Sequence, residues 1–191
     1  MKLVILDRDG VINEDSREFI KSPAEWRPLP GSLEGIARLT RAGFAVVVAT
    51  NQSGVGRGLL DEPTLAAIHG KMDAAVSAAG GRIDAIYYCP HRPEDGCDCR
   101  KPRPGLLREI AARYGTTLDD VPVIGDSRRD IEAALAVRAR PILVLTGSGR
   151  ATLADLEKEN GAGSVYGAER RVPEVYTDLA EAARQLVRER G

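Results

Sequence analysis

Lys2-Leu3-Val4-Ile5-Leu6-Asp7-Arg8-Asp9-Gly10 is the stretch that decides the fold, because an apolar run leads directly into two acidic residues. Buried strands of parallel sheets are short apolar runs, and ligands of open α/β sheets bind beyond the carboxyl ends of the strands. Asp7 and Asp9 are therefore expected at such an edge, where paired carboxylates bind a hard cation or divide nucleophilic and proton-transfer roles. An acidic turn closed by Gly10 is the alternative that this stretch alone leaves open.

Further apolar, β-branched runs alternate with helical patterns along the chain, which is typical of an α/β fold. The predicted strands are Lys2–Leu6, Ala45–Ala49, Ala85–Cys89, Val121–Gly125 and Ile142–Thr146, with a short sixth near Val175–Thr177. The predicted helices are Ser32–Ala42, Glu62–Ala79, Pro104–Tyr114, Arg129–Val137, Thr152–Glu159 and Leu179–Arg190, with Ser32 and Asp61 as N-caps. We expect a doubly wound, Rossmann-like, mostly parallel sheet with helices on both faces.

Composition excludes several classes of function. The chain has 191 residues, is 43% hydrophobic and carries a formal net charge of -1, which suits a single domain over residues 1–191. The charge balance gives no basic surface for nucleic acid, and no segment has a signal-peptide pattern or approaches the roughly 20 apolar residues of a membrane span. We therefore expect a cytoplasmic monomer without a nucleic-acid or membrane partner.

Three irregular segments each follow a predicted strand: Val11–Gly31, Gln52–Leu60 and Pro90–Arg103. They are expected to gather over one edge of the sheet, because the carboxyl ends of parallel strands meet there. None leaves room for an inserted domain of at least ~50 residues, so we expect no large cap domain. The loops themselves would form the walls of the site.

Polar side chains stand where the other strands end or a helix begins: Thr50, Asn51, Lys101 and Asp126. With Asp7 and Asp9, Asp126 would make an oxygen site suited to Mg²⁺. Thr50 and Lys101 add a hydroxyl and a cation, as phosphoryl transfer requires, because its catalysis is mostly positioning and charge neutralisation. Taken singly, each of these residues also suits a turn, a strand end or a solvated surface.

In order along the chain, Asp-x-Asp-Gly, Thr-Asn, Lys and Gly-Asp-x-x-x-Asp resemble the four motifs of the haloacid dehalogenase superfamily of phosphatases. The resemblance implies that Asp7 is a nucleophile that forms an aspartyl-phosphate. It implies that Asp9 protonates the leaving oxygen and then activates water, and that Asp7, the Asp9 carbonyl and Asp126 hold Mg²⁺. Thr50 and Lys101 would stabilise the phosphoryl oxygens.

The three cysteines of the chain, Cys89, Cys97 and Cys99, lie close together in sequence and enclose His91. Three thiols and an imidazole are the ligand set of a structural Cys₃His zinc site, although free cysteines in a polar loop are the alternative. Zinc would stiffen the loop after the third strand and direct Arg100 toward the site.

Cys-Pro-His, followed by Cys-Asp-Cys-Arg-Lys-Pro, resembles a subgroup of that superfamily that contains the heptose bisphosphate and the histidinol-phosphate phosphatases. The stretch from Thr50 to Gly58 resembles the heptose enzymes. The implied activity is Mg²⁺-dependent hydrolysis of the 7-phosphate of D-glycero-D-manno-heptose 1,7-bisphosphate, in nucleotide-activated heptose biosynthesis for lipopolysaccharide or surface glycans. The residues expected to contact substrate are Asp15, Asn51, Gln52, Ser53, Arg57 and Arg100, with the arginines on the second phosphate.

Two other functions stay open. One is histidinol-phosphate phosphatase, which keeps the chemistry and changes the substrate. The other is a phospho-accepting, receiver-like module, against which Asp9 argues, because an acid beside the acceptor hydrolyses the phospho-aspartate. We interpret Asp130 as a partner of Lys101 or of a metal-bound water, His69 as a surface or satisfied core residue, and residues 147–149 as a connection.

Overall fold

The structure, a computed structural model, describes residues 2–161 and 173–189, and its centre is a six-stranded sheet. The strands are β1 (Lys2–Leu6), β2 (Phe44–Asn51), β3 (Ala85–Cys89), β4 (Pro122–Gly125), β5 (Arg140–Val144) and β6 (Glu174–Tyr176). Every neighbouring pair is parallel, in the order β3-β2-β1-β4-β5-β6. The strand order therefore reverses between β1 and β4, which is where ligands of doubly wound folds bind.

Seven helices lie in the described residues: α1 (Ser32–Arg41), α2 (Ser53–Gly56), α3 (Glu62–Ala78), α4 (Gly105–Tyr114), α5 (Arg128–Ala136), α6 (Gly149–Gly161) and α7 (Leu179–Glu189). One-turn 3-10 helices cover Pro23–Glu25 and Pro93–Asp95. In the ranges that the structure describes, no helix is long and apolar enough to cross a membrane.

Two apolar layers hold the helices against opposite faces of the sheet. In β1, Val4 and Leu6 belong to a cluster with residues of α1, α3 and α7, whereas Leu3 and Ile5 pack with residues of α4 and α5. This alternation follows from the two-residue period of a strand, whose successive side chains point to opposite faces. The prediction of a doubly wound sheet covered on both faces is confirmed.

Local boundaries differ from the prediction near β5. The strand covers Arg140–Val144 rather than Ile142–Thr146, and α6 begins at Gly149 rather than at Thr152. The Thr146 hydroxyl donates to the Gly10 carbonyl at 2.6 Å, and Gly149 N–H donates to the Thr146 carbonyl at 2.8 Å. These bonds turn the chain across the end of β1. Gly149, the last residue of the predicted connection 147–149, is therefore the first residue of α6.

The predicted helix starts had different outcomes. Asp61 is the N-cap of α3 and accepts a hydrogen bond from Thr64 N–H at 2.8 Å, as predicted. Ser32 is not the N-cap of α1: Gly31, in a left-handed conformation, has that place. The Ser32 hydroxyl instead donates to the Ile12 carbonyl at 2.6 Å, which ties the first loop to α1.

Other boundaries also differ from the prediction. The strand β2 is longer than predicted at both ends, and β6 is shifted by one residue toward the N-terminus. The ends of β4, α1, α3, α4 and α5 differ by one residue. The four-residue α2 was not predicted, and Arg190, the predicted end of α7, lies outside the described residues.

Candidate active site at the carboxyl ends of the strands

A cavity of about 150 Å³ lies beyond the carboxyl ends of β1, β2 and β4. All three irregular segments contribute to its walls, as predicted, through residues such as Asp15, Gln52 and Arg100. The other predicted residues that line it are Asp7, Asp9, Thr50, Asn51, Ser53, Lys101 and Asp126. The topology thus brings ten of the predicted site residues to one cavity, and Arg57 is the predicted substrate contact that does not line it.

Asp7 and Lys101 form an ion pair at the base of this cavity. Asp7 Oδ1 accepts a hydrogen bond from Arg8 N–H at 2.7 Å and lies 3.1 Å from Lys101 Nζ. Lys101 is 3% exposed and also donates to the Ala49 carbonyl at 2.8 Å and to Asp130 Oδ1 at 2.5 Å. Because three acceptors surround it, the ammonium is held in a fixed position beside Asp7.

Asp130 is the buried partner of Lys101, which is one of the roles predicted for it. Its Oδ2 accepts hydrogen bonds from Ser127 N–H at 3.0 Å and from the Ser127 hydroxyl at 2.5 Å. Burial alone would raise the pKa of Asp130, but the Lys101 charge and the Ser127 donors outweigh it and hold the pKa below its usual range. Both oxygens of Asp130 are therefore engaged within the protein.

Asp126 is enclosed by two glycines and a backbone donor. Its Oδ2 accepts a hydrogen bond from Ser148 N–H at 2.7 Å. A Cβ atom at Gly10 would lie 2.1 Å from Asp126 Oδ2, and one at Gly147 would lie 2.2 Å from it. Both glycines have positive φ angles, so close approach and backbone conformation each favour glycine there. The turn after β5 therefore helps to position Asp126.

Three carboxylates share this part of the cavity: oxygens of Asp7, Asp126 and Asp130 lie within 4.8 Å of one another. Burial raises the pKa of Asp7 to about 8, against the lowering effect of Lys101 and with the help of the neighbouring carboxylates. Burial also raises the pKa of Asp126 to about 6. A cation between these groups would favour their ionised forms.

The donor set suits Mg²⁺. Among the described residues, no hydrogen-bond donor contacts Asp7 Oδ2, Asp126 Oδ1 or the Asp9 carbonyl oxygen. Carboxylates and a carbonyl are hard oxygen ligands, which Mg²⁺ prefers. Asp130, whose oxygens are already engaged, is better suited to orient Lys101 than to bind metal directly.

Asp9 is held by hydrogen bonds from Arg8, Asn13 and Gln52. Arg8, which is 1% exposed, donates from Nε and Nη2 to Asp9 Oδ1 at 3.1 and 2.9 Å, and Asn13 Nδ2 donates to the same oxygen at 2.9 Å. Gln52 Nε2 donates to Asp9 Oδ2 at 2.7 Å and to Thr50 Oγ1 at 2.9 Å. The predicted acid and the predicted phosphoryl-binding hydroxyl are thus joined by one amide.

The other predicted β2 residue, Asn51, supports Lys101. Its Nδ2 donates to the Lys101 carbonyl at 3.1 Å, and its Oδ1 accepts from Lys101 N–H at 3.1 Å. This reciprocal pair fixes the backbone from which the Lys101 side chain enters the cavity. Both side-chain amides, of Asn51 and Gln52, therefore bind protein groups in this structure.

The cysteine cluster lies beside this site, at the end of β3 and in the following loop. Cys89 Sγ lies 3.5 Å from Cys97 Sγ and 3.2 Å from Cys99 Sγ, and His91 Nδ1 lies 3.6 and 3.2 Å from the sulfurs of Cys89 and Cys99. The cysteines form no disulfide. Burial, together with its hydrogen bond to Cys99, raises the pKa of Cys89 to about 12. Four converging sulfur and nitrogen donors fit a tetrahedral structural zinc site.

Two arginines, Arg100 and Arg129, line the cavity, and the charge of Arg57 acts on Arg100 from outside the lining. In the part of the chain that the structure describes, no acidic side chain forms an ion pair with Arg57, Arg100 or Arg129. Burial lowers the pKa of Arg100, and the charges of Arg129 and Arg57 lower it further. Arg100 donates to the His91 carbonyl at 3.2 Å, and Arg100 and Arg129 both line the cavity. Unpaired like charges at one cavity favour an anionic ligand.

The first loop contributes the outer wall. Asp15 Oδ1 accepts a hydrogen bond from Ser16 N–H at 2.8 Å, and both residues are exposed and line the cavity together with Phe19. Ser53, the first residue of α2, is buried and also lines the cavity.

Four residues at or behind the site were missed or given no role from the sequence: Arg8, His69, Arg129 and Ser148. His69, on α3, is buried and lies 3.2 Å from Arg8 Nη1, so it is a satisfied core residue, as one of its two interpretations held. Glycines around Ser148 and the position of Arg8 between two acids were usable signals. Nothing in the sequence pointed to Arg129.

Comparison with known proteins identifies relatives over the whole chain. A family model described as haloacid dehalogenase-like hydrolase matches residues 1–138, and a HAD-hydrolase-like model matches residues 98–182. The chain is 54% identical over 189 residues to a D-glycero-beta-D-manno-heptose-1,7-bisphosphate 7-phosphatase of Bordetella bronchiseptica, with 99% of each chain covered. It is 50% identical over 190 residues to the Pseudomonas putida protein of the same name, with 98% of this chain and 100% of the relative covered.

Solved structures agree. The D,D-heptose 1,7-bisphosphate phosphatase of B. bronchiseptica, complexed with magnesium and phosphate, superposes with a TM-score of 0.90 at 54% identity, covering 99% of each chain. The Burkholderia thailandensis enzyme of that name gives a TM-score of 0.73 at 45% identity, covering 98% of this chain and 99% of that one. The chain is therefore a member of the haloacid dehalogenase-like hydrolase family.

Proposed function

We propose that the protein hydrolyses the 7-phosphate of D-glycero-β-D-manno-heptose 1,7-bisphosphate in a Mg²⁺-dependent reaction. The observation that carries this proposal is the cavity in which Asp7, Lys101 and Asp126 meet beside Asp9, with arginines at its mouth. The named relatives, identical at half of their positions or more over nearly the whole chain, support the substrate and its anomer. The product would supply nucleotide-activated heptose for surface glycans.

In the first step, an Asp7 carboxylate oxygen attacks phosphorus and the bond between phosphorus and the sugar oxygen breaks. Asp9 donates its proton to that leaving oxygen, so the products are an aspartyl-phosphate and a sugar hydroxyl. Lys101 Nζ, 3.1 Å from Asp7 Oδ1, and the Thr50 hydroxyl are placed to stabilise charge on the phosphoryl oxygens.

In the second step, water attacks the phosphorus of the aspartyl-phosphate and gives a proton to Asp9. The bond between phosphorus and Asp7 breaks, which releases inorganic phosphate and restores the Asp7 carboxylate. Asp9 ends the cycle protonated, as it began it. Its hydrogen bonds to Arg8, Asn13 and Gln52 keep it at one position for both transfers.

The ligands of Mg²⁺ would be Asp7 Oδ2, Asp126 Oδ1 and the Asp9 carbonyl oxygen. These are hard oxygen atoms that accept no hydrogen bond from the described residues. When bound, the cation neutralises charge so that a carboxylate can approach an anionic phosphate. Magnesium in the solved structure of the B. bronchiseptica relative supports this assignment.

The second phosphate of the substrate would lie among Arg100, Arg129 and Arg57. Arginine binds phosphate through its planar fork of donors, and these three guanidiniums have no carboxylate partner among the described residues. Arg103 is unsuited, because it donates to the carbonyls of Gly96 and Cys97 in the cysteine loop. Asp15 would accept a hydrogen bond from a sugar hydroxyl.

A structural zinc ion bound by Cys89, His91, Cys97 and Cys99 completes the proposed protein. Its support is the convergence of the four donor atoms within 4.8 Å. With all four positions filled by protein, such a site is closed to water and does not perform the reaction. It would hold the loop from which Arg100 reaches the cavity.

Residues 1–191 would act as one monomeric domain without a cap. The support is that the loops after β1 and β3 contain one-turn helices at Pro23–Glu25 and Pro93–Asp95 rather than an inserted fold. A single cooperative unfolding transition and a monomeric mass in solution would be the corresponding measurements.

The deciding experiment compares kcat/KM for the β- and α-anomers of the heptose bisphosphate and for histidinol phosphate, with Mg²⁺ present. We expect the β-bisphosphate to be preferred and the product to retain its 1-phosphate, as read by ³¹P NMR. A higher kcat/KM for histidinol phosphate would replace the substrate and keep the mechanism. A long-lived aspartyl-phosphate without release of phosphate would instead indicate a receiver-like module.

A further inference from the structure

Arg8, which is hydrogen-bonded to Asp9, forms a buried pair with His69. Arg8 Nη1 and His69 Nε2 are 3.2 Å apart, although 61 positions separate the two residues in the sequence. Arg8 is 1% exposed and His69 is 9% exposed. The mechanism proposed above uses Arg8 to hold Asp9 and gives His69 no role.

The direction of this hydrogen bond follows from its chemistry. A guanidinium has donors and no acceptor, so His69 Nε2 must be the acceptor. His69 is therefore a neutral imidazole with its proton on Nδ1. A protonated imidazole would place a second donor against Arg8 and break the contact.

Arg8 has few ways to rotate, because each of its nitrogens has a partner. Nε and Nη2 donate to Asp9, Nη2 also donates to Gln52 Oε1 at 3.0 Å, and Nη1 donates to His69. The guanidinium is planar, so the Nη1 contact determines how the Nε and Nη2 edge meets Asp9. Without His69, Arg8 Nη1 would lose its acceptor, and the orientation of the guanidinium toward Asp9 would be less restricted.

His69 is itself held rigidly. It lies on α3, whose neighbouring residues Leu65, Ile68 and Met72 are buried in the same core layer. Its ring makes an edge contact with Tyr88 on β3, with ring centroids 6.0 Å apart and an interplanar angle of 61°. A buried helix and a strand thus define where the acceptor for Arg8 lies.

We propose that His69 is a positioning residue for the reaction: through Arg8 it orients the Asp9 carboxyl group for proton donation to the leaving oxygen. This inference rests on the proposed function, because it assigns Asp9 the role of acid. His69 is 3.2 Å from Arg8 and has no hydrogen bond to Asp9, so it acts through the guanidinium.

Leaving groups of different basicity distinguish positioning of an acid from a general structural role. A sugar alkoxide needs a proton as it leaves, whereas p-nitrophenolate leaves without one. A displaced Asp9 should therefore slow hydrolysis of an alkyl phosphate and spare that of p-nitrophenyl phosphate. The quantity to compare is kcat/KM, because it reports only the steps up to the first irreversible bond cleavage, before Asp9 acts as a base.

The experiment measures kcat/KM of the Mg²⁺-loaded protein on the heptose bisphosphate and on p-nitrophenyl phosphate. We expect His69→Leu to lose about tenfold or more on the sugar substrate and to change less than about twofold on the aryl substrate. His69→Gln keeps an acceptor for Arg8 and should restore most of the lost activity. Met72→Ala, a buried change on the same helix away from Arg8, should alter both substrates alike.

Equal losses on both substrates by His69→Leu, or no loss on either, would overturn the inference. If His69→Leu does not fold, Arg8→Lys takes its place, because a lysine keeps the charge but cannot bind Asp9 and His69 through one planar fork. The same selective loss is then expected, and its absence is equally decisive. Asp9→Asn separates the two proposals: if it too affects both substrates equally, the assignment of Asp9 as the acid fails.

Discussion

The catalytic edge (Asp7, Asp9, Thr50, Lys101 and Asp126) and the neighbouring cysteine loop (residues 90–100) are held by different interactions. At the catalytic edge, each side chain has hydrogen-bond partners in the protein, on residues from several strands and loops. In the loop, the ligand side chains mostly contact one another, and the Arg92–Asp95 ion pair is local and largely exposed.

This difference suggests a division of roles. The protein builds the catalytic edge by itself, because buried polar groups there are satisfied by neighbours in the fold. Cys97 and Cys99 pack against the apolar layer, so the conformation of the loop depends on the metal that these two side chains and His91 would share with Cys89 on β3. Three backbone hydrogen bonds of 2.9 Å connect the loop to the rest of the protein: the N–H groups of Gly56, Gly105 and Arg103 donate to the carbonyls of Pro90, Asp98 and Arg100.

The largest effect is expected from a change at the catalytic edge that leaves the loop intact. Asp7→Asn should lower kcat by at least about 10⁴-fold, because an amide oxygen is a far weaker nucleophile than a carboxylate. Steady-state kinetics with Mg²⁺ give the test, and zinc content and the urea midpoint serve as controls that should stay near wild type. Turnover close to that of the wild type would show that no covalent bond forms at Asp7.

A change at the loop should have a smaller effect on activity and a larger one on metal content. Cys99→Ser removes one of the four zinc ligands, and we expect loss of zinc with a fall in kcat/KM of about 10- to 100-fold, because Arg100 and Lys101 follow the loop. Asp98→Ser, an exposed neighbour in the same loop, is the matched control. Full activity of a zinc-free Cys99→Ser protein would mean that the catalytic edge needs no support from the loop.

The sequence was sufficient for the parts of the site that follow strands directly. Asp7, Thr50 and Asp126 each come at or just after the end of a buried apolar run, and parallel topology then places them together. The cysteine cluster was also predictable, because three thiols and an imidazole close in sequence leave few arrangements.

Contacts between distant segments could not be predicted in the same way. Ser148 reaches Asp126 because β5 ends at Val144, two residues before the predicted end of the strand at Thr146. His69 reaches Arg8 from α3, 61 positions away in the sequence. Helix periodicity indicates that position 69 faces the core, but it does not predict which buried group the His69 side chain contacts. Arg129 follows from the exact start of α5, and helix ends are the least predictable boundaries.

The proposed phosphate-binding arginines give a third way to compare the two regions, because Arg129 is on α5 and Arg100 is on the loop. Arg129→Gln should lower kcat/KM for the bisphosphate about 3- to 10-fold and leave a sugar monophosphate unaffected, since an exposed charge is partly screened. The adjacent Arg128→Gln removes the same charge but breaks pairs with Glu132 and Glu159 instead. Equal effects of the two variants on both substrates would exclude Arg129 from the phosphate site.

The smallest expected effect is on the pH dependence of stability and concerns His69, the residue that contacts Arg8. Burial, together with the Arg8 charge and against the opposing charge of Asp9, lowers the pKa of His69 from 6.5 to about 4. Between pH 6.5 and pH 4, His69 binds a proton in the unfolded chain and not in the folded one. The stability that comes from burying a neutral His69 is therefore present above pH 6.5 and is lost as the pH falls toward 4.

Between pH 7 and pH 5, the free energy of unfolding should therefore fall by on the order of 1 kcal/mol more in the wild type than in His69→Gln, which has no titrating group at this position. Urea titrations of both proteins at the two pH values measure the difference. An identical pH dependence would mean that the folded protein accepts the proton as readily as the unfolded chain does. In that case the contact with Arg8 would not hold His69 in its neutral form, and the fixed orientation of Asp9 at low pH would need another source.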